Sequence, residues 1–369
     1  MKKRKLGVAL SLILAAGTLL GACGKTSDNN NAGGGKDKAK AFSVGMVTDV
    51  GGIDDKSFNQ SAWKGLQDFG KKFDMKKGVG GFDYLASKSD ADYATNLNTL
   101  THQGFNLIYG IGFMMQNDVD KIAKQQPKTN YAIVDAEVKE KNVASILFKE
   151  NEASFLAGVV AGMTTKSNKI GFIGGQTSAV IERFEAGFVT GVKAANPNAT
   201  VDIQYAESFT DASKGQAIAS RMYSSGDDVI FAAAGATGNG MFKEAHDRLA
   251  KNPSQAIWTI GVDSDQNLTG IGDVTINGKK QSTIITSAMK RVDNSVVDIS
   301  TKAKNGDFPG GKTTVYGLAE NGVGLAPLNP DVPNKDAIEK AVNDWTAKIK
   351  SGDVKVPATK AEEAGFSAK

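Results

Sequence analysis

Residues Phe42 to Phe73 read FSVGMVTDVGGIDDKSFNQSAWKGLQDFGKKF: a short apolar run, a polar turn, then a stretch whose apolar residues recur at helical spacing. That pattern predicts a strand over FSVGMV and a helix over Ser57–Phe73. The cycle returns down the chain. VGGFDYL precedes a helix near Asp90–Gln103, FNLIYGIG precedes a helix near Asn117–Gln126, and NYAIVD and VASILF follow. A second set opens with a helix near Glu152–Thr165 and continues through KIGFIGG, a helix near Val180–Ala195, VDIQYAES, a helix near Ser213–Ser224, DVIFAAAG, a helix near Gly240–Lys251 and AIWTIGVD. Strands alternating with helices make parallel sheets covered on both faces, with right-handed crossovers. Two such sets predict an α/β protein of two doubly wound lobes.

Open parallel sheets bind ligands at the carboxyl ends of their strands. The polar residues at those ends are Thr48-Asp49, Gly112, Asp135, Gly235 and Asp263. Asp and Gly also favour turns and caps, so each alone has a plain structural explanation. Three strand-end aspartates shared between two facing lobes, however, would be aimed into one cleft.

The single cysteine, Cys23, ends the run Leu20-Gly21-Ala22-Cys23 behind a basic segment, Lys2 to Lys5, and an apolar one, Leu6 to Leu20. This resembles a lipoprotein signal: residues 1–22 would be removed, Cys23 would carry acyl chains such as palmitate, and a lipid-anchored protein on the extracytoplasmic face of the cell membrane would result. Residues 23–41 then form the acylated end and a Gly/Asn-rich linker with a mean reach of roughly 20–25 Å. The precursor's net charge of +4 comes from Lys2, Lys3, Arg4 and Lys5, so the chain from Cys23 onward is formally neutral. No Lys/Arg excess remains to suggest a nucleic-acid partner. With Cys23 acylated, no thiol is left for a disulfide, a thiolate metal site or a nucleophile.

Several chemical patterns fail on context. Gly306-Asp307-Phe308-Pro309-Gly310-Gly311-Lys312-Thr313 matches a P-loop, but a helical stretch (Val292–Ala303) precedes it and strand-like Thr314–Tyr316 follows, so an inter-lobe turn is expected instead. Gly235 to Gly240 lacks dinucleotide spacing and reads as a glycine turn whose amides can approach a ligand. His102 and His246 lack a second ligand at metal spacing, and no nucleophile elbow is present. No cofactor, metal or catalytic residue is expected. Thr48 to Asp55 looks like the calcium loop of nucleoside hydrolases, but Val47 replaces one aspartate and an extra residue separates Asp49 from Asp54-Asp55.

Extended from Gly45 to Gly65, the same stretch, with Asp55-Lys56-Ser57-Phe58-Asn59-Gln60, strongly resembles the opening of the basic membrane protein family of PnrA-like lipoproteins, substrate-binding components of nucleoside ABC importers. Asn151 to Gly158, Arg183 to Phe188, Ser208 to Asp211, Ala234 to Gly238 and Gly261 to Gln266 follow in family order. The resemblance implies a fold similar to type I periplasmic binding proteins, with two lobes joined by three hinge strands. It implies a purine base between Phe58 and Phe209, base-edge hydrogen bonds from Asp49 and Asn59, and a ribose held by Asp135, Asp263, the Gly235 amide and Lys290. It further implies a guanosine, adenosine or inosine ligand, ABC permease and ATPase partners, and a non-enzymatic monomer. A monosaccharide or autoinducer receptor of the same fold is the alternative. The expected division is 42–150 with about 286–310 in the N-terminal lobe, 151–285 with about 311–362 in the C-terminal lobe, and a tail at 363–369.

Overall fold

The computed structural model describes residues 41–366; Cys23 and the linker up to residue 40 lie outside them. The first set of elements is β1 (Val44–Val47), α1 (Phe58–Lys72), β2 (Phe82–Leu85), α2 (Tyr93–Gln103), β3 (Leu107–Ile111), α3 (Gln116–Gln125), β4 (Asn130–Val134) and β5 (Val143–Phe148). The second runs α4 (Glu150–Thr164), β6 (Lys169–Gly174), α5 (Ala179–Ala195), β7 (Thr200–Tyr205), α6 (Ala212–Ser225), β8 (Val229–Ala233), α7 (Asn239–Lys251) and β9 (Trp258–Asp263). Then come β10 (Asp273–Ile276), β11 (Lys279–Ser282), β12 (Ile284–Lys290), α8 (Val292–Lys304), β13 (Thr313–Tyr316), β14 (Val323–Leu325), α9 (Lys335–Ser351) and α10 (Lys360–Glu363).

The strands form two six-stranded sheets, ordered β13-β5-β4-β3-β1-β2 and β14-β12-β9-β8-β6-β7. The first is parallel throughout; in the second only β14 runs antiparallel, to β12. Place for place, β1, β3 and β4 of one lobe correspond to β6, β8 and β9 of the other. The central strands are buried and rich in Val, Ile, Ala and Phe, as sheets covered on both faces require. Beside the second sheet, β10 and β11 form a hairpin whose turn is Asn277-Gly278, both at positive φ, which matches the twist of a two-residue connection.

The chain changes lobe three times: at Lys149-Glu150, at Arg291, and between Gly317 and Gly322. These crossings lie side by side, because the Lys149 amide donates to the Tyr316 carbonyl at 3.0 Å and the Arg291 amide to the Gly322 carbonyl at 2.8 Å. The later crossings differ from the expected ones near 286 and 311. Hydrogen bonding decides: β12 runs to Lys290 alongside β9 in the second sheet, and β13 pairs with β5 in the first. The P-loop look-alike consequently joins α8 to β13 within the first lobe and is not an inter-lobe turn. No described helix is long and apolar enough to cross a membrane.

Candidate ligand-binding site

Between the lobes lies a cavity with about 590 Å³ of empty space, its mouth included, and it is lined by Asp49, Phe58, Asn59, Asp135, Phe209, Gly235, Asp263 and Lys290 together. These are the eight residues that the resemblance implies for ligand binding; of the other strand-end residues, Thr48 is not among the lining ones. Gly112 lines it as well. Asp135 directly follows β4 and Asp263 ends the corresponding strand β9, with φ of 69° and 65°. Left-handed backbone at a non-glycine residue costs on the order of 1–3 kcal/mol, and such strain concentrates where a side chain must be aimed.

The first-lobe wall is built by the loop before α1. Asp55, 3 % exposed, accepts from the amides of Ser57 and Gln60 through Oδ1, at 2.9 and 3.1 Å, and from the Asn59 amide through Oδ2 at 2.8 Å. It thereby satisfies donors that the start of α1 would otherwise leave orphaned. Asn59 Nδ2 donates to Asp49 Oδ1 at 2.6 Å and to Asp55 Oδ2 at 3.0 Å, while Asn59 Oδ1 accepts from the Asp49 amide at 3.2 Å. Both amide hydrogens of Asn59 are therefore engaged by carboxylates. Asn59 was expected at a base edge; it lines the cavity with these hydrogens directed at Asp49 and Asp55. Asp49 Oδ1 also accepts from the Gly51 amide at 2.8 Å, which leaves Oδ2 as the acceptor facing the cavity. Burial pushes the Asp49 carboxyl up to about 6, against the hydrogen bonds from Gly51 and Asn59.

The floor is ionic. Lys290, 2 % exposed, places Nζ 2.5 Å from Asp135 Oδ2 and 3.3 Å from Glu150 Oε1. Its ammonium also lies 4.9 Å from the Phe58 ring centroid and 5.2 Å from that of Phe148. Burial works against the Lys290 charge, but Asp135, Glu150 and Asp263 outweigh it and raise the pKa. Arg183 closes the chain of charges, with Nε 2.6 Å from Glu150 Oε2. Asp135 Oδ1, by contrast, is buried with no hydrogen-bond partner among the described residues. An unsatisfied buried acceptor costs about 1–3 kcal/mol, so a ligand donor delivered there is strongly favoured.

Aromatic and aliphatic side chains make the remaining walls. Phe209 lies in the loop after β7, its ring 6.3 Å from Phe113 in an edge arrangement. Gly175 makes room for it: a Cβ there would fall 2.2 Å from the Phe209 ring. Val180, Ile181 and Phe184 from the first turns of α5 line the same space. Sequence reading missed these three, although they form an apolar stripe at the start of a helix that follows a strand. It also missed Asp55, Glu150 and Ser57.

Polar contacts join the lobes around the cavity. The Ser57 hydroxyl donates to Asp263 Oδ2 at 2.6 Å, the Ser264 hydroxyl to the Lys56 carbonyl at 3.1 Å, and Asn239 Nδ2 to the Asp55 carbonyl at 3.4 Å. Burial pushes Asp263 up to about 7, opposed by Lys290 and by the Ser57 hydrogen bond. An unfolded chain ionises an aspartate near about 3.9. The stability contributed by protonated Asp263 is thus complete below that pH and lost as the pH rises through about 7. Urea denaturation of the ligand-free protein should show Asp263→Asn flattening this part of the profile between about pH 4 and about pH 8. An unaltered slope in the variant would contradict the assignment.

Residues 42–360 match the family described as ABC transporter substrate-binding protein PnrA-like. The chain is 54% identical over 359 residues to the CD4+ T-cell-stimulating antigen of Listeria innocua, spanning 97% of this chain and 99% of that protein. It is 44% identical over 360 residues to the ABC transporter nucleoside-binding protein BmpA of Lactococcus lactis, covering 97% and 100%. Among solved structures it resembles an ABC transporter solute-binding protein from Aeropyrum pernix, with a TM-score of 0.73, 26% identity, and coverage of 88% of this chain and 96% of that one. Two lobes with corresponding sheets, a cavity between their strand ends and a match along nearly the whole described body lead to one conclusion: the chain belongs to the PnrA-like substrate-binding proteins of ABC transporters.

Proposed function

We propose that this protein captures a purine nucleoside (guanosine, adenosine or inosine) in the inter-lobe cavity and delivers it to an ABC permease, held at the membrane by acyl chains on Cys23. The observation that carries the reading is the pairing of aromatic walls, Phe58 and Phe209, with a floor whose buried Asp135 Oδ1 lacks a donor. A base offers two π-faces, each worth roughly 1–3 kcal/mol on an aromatic ring. A ribose offers hydroxyls that carboxylates accept from, about 1.5–3 kcal/mol per charged hydrogen bond. The nucleoside-binding relative in Lactococcus lactis supports the same ligand class. A ligand gripped by both lobes stabilises the closed arrangement by its differential affinity for it.

The reading is non-enzymatic. Asp55, which in a hydrolase-like loop would hold a metal, spends both oxygens on the start of α1 and on Asn59. Incubation with guanosine should return intact nucleoside, and released base and ribose would overturn the assignment. By calorimetry, Phe58→Ala and Phe209→Ala should each weaken nucleoside binding about ten- to a hundredfold, the loss of one stacking face. Wild-type affinity in both variants, or ribose binding as well as nucleoside, would favour a sugar receptor.

The anchor has its own test. In membranes washed at high salt, Cys23→Ala should abolish fractionation with the membrane while leaving nucleoside affinity intact, because no cavity residue precedes Asp49. Retention in the membrane fraction would point to another means of attachment.

A further inference from the structure

Helices α1 and α8 lie against each other and run the same way: Gly65 faces the backbone of Asp293, and Lys72 Nζ is 3.4 Å from Thr301 Oγ1. The first-lobe strands deliver Asp49, Gly112 and Asp135 to the cavity at their carboxyl ends, so helices packed back across that sheet finish at the opposite pole. There Lys71 and Lys72 close α1, and Lys302 and Lys304 close α8, where helix carbonyl ends favour cations. Lys72 and Lys304 stand 5.3 and 5.1 Å from the centroid of the same ring, Phe73. Just beyond, Lys76-Lys77-Gly78-Val79 forms a loop in which Val79 is 68% exposed, and Lys77 covers Trp63 at 5.4 Å.

Among the described residues, Lys71, Lys72, Lys76, Lys77 and Lys304 form no ion pair, whereas Lys302 is paired with Asp298. The acids closest in sequence, Asp74 and Asp307, leave the face with a positive excess. The path of the chain points the same way. Phe42, at the entry to β1, lies 6.3 Å from Phe69, and Phe69 lies 4.9 Å from Phe73. The described chain therefore begins beside this face, and the sequence just before it reads Lys36-Asp37-Lys38-Ala39-Lys40.

We infer that this pole of the first lobe, with Lys71, Lys72, Lys76, Lys77 and Lys304 around the exposed Val79, is a docking face for an anionic lipid surface. Lysines held near such a surface each improve partitioning about fivefold, and an apolar tip among them adds contact with the interface. Docking there would hold the first lobe against the bilayer in addition to any acyl tether and fix which way the cavity faces. It is independent of what the cavity binds.

The test uses the protein from Gly24 onward, without the anchor, and sedimentation with phosphatidylcholine vesicles with or without phosphatidylglycerol. The expected result is binding to the anionic vesicles at low salt, lost at high salt, and weaker by about six hundredfold when Lys71, Lys72, Lys76 and Lys77 are all changed to glutamine. Changing exposed Lys214, Lys251, Lys279 and Lys355 to glutamine alters net charge equally and should leave binding nearly intact. Denaturation midpoints of both variants verify folding. Equal losses in the two variants, equal binding to uncharged vesicles, or tighter binding of the face to a soluble polyanion such as heparin than to vesicles would overturn the proposal.

Discussion

Lys290→Met should cost about 3–5 kcal/mol of folding stability, the largest effect expected of any single change near the cavity. The ammonium is buried and bonded to Asp135 and Glu150, and Glu150 itself is fully buried. Removing it strands two carboxylates with Arg183 as their one remaining cationic partner among the described residues, on the far side of Glu150. Methionine fills the volume but compensates neither charge. A second change, Asp135→Asn, should recover part of the loss, because the remaining site would hold one fewer uncompensated charge. Urea denaturation of the two single variants and the double variant gives the coupling directly. If Lys290→Met shifts stability by less than about 0.5 kcal/mol, the buried ionic floor is not as described.

Nucleoside 5′-monophosphates should bind on the order of a thousandfold more weakly than the nucleosides, since like charges brought together in a desolvated site cost several kcal/mol. Asp49, Asp135 and Asp263 all face the cavity, and Lys290 is the only cation among the described residues lining it. That cation is already committed to Asp135 and Glu150. A neutral nucleoside presents donors to the same oxygens. The preference should persist at high salt, because enclosed charges are screened far less than surface ones. Competition titration with guanosine, adenosine and their monophosphates measures it. Monophosphates binding as well as nucleosides would reveal a phosphate site that the charge pattern does not provide.

Much of this architecture is written in short-range pattern. The strand-helix alternation placed β1 to β9 and α1 to α7 because each strand is a brief apolar run and most of the helices have a clear period; α4, buried on all sides, is the exception. The strand-end rule led to Asp49, Asp135, Gly235 and Asp263, all of which line the cavity. Phe58, Asn59, Phe209 and Lys290 came only from resemblance, since a helix-start phenylalanine or a lone lysine carries no signal of its own. Glu150 stayed hidden because an acid in a first helical turn is ordinary on a surface. Its burial follows from two distant partners, Lys290 and Arg183, at separations no local pattern encodes. Asn59 lines the cavity, but its hydrogen bonds to Asp49 and Asp55 were not legible in the sequence. The β10–β11 hairpin was legible in Asn277-Gly278 and was overlooked. The two later lobe boundaries were not legible, because β12 reads alike whichever sheet it joins.

The three crossings also bear on how the chain is assembled. The first sheet receives its edge strand only when Thr313–Tyr316 pairs with β5, and α1 receives its neighbour only when α8 is available. A growing chain that ends at Phe148 therefore has an open sheet edge and an uncovered helix face, both prone to pair wrongly. The second lobe also waits, for β14, which follows the last crossing. Neither lobe can be cut out as one continuous segment, and the protein should reach its native form only after nearly all of it is available.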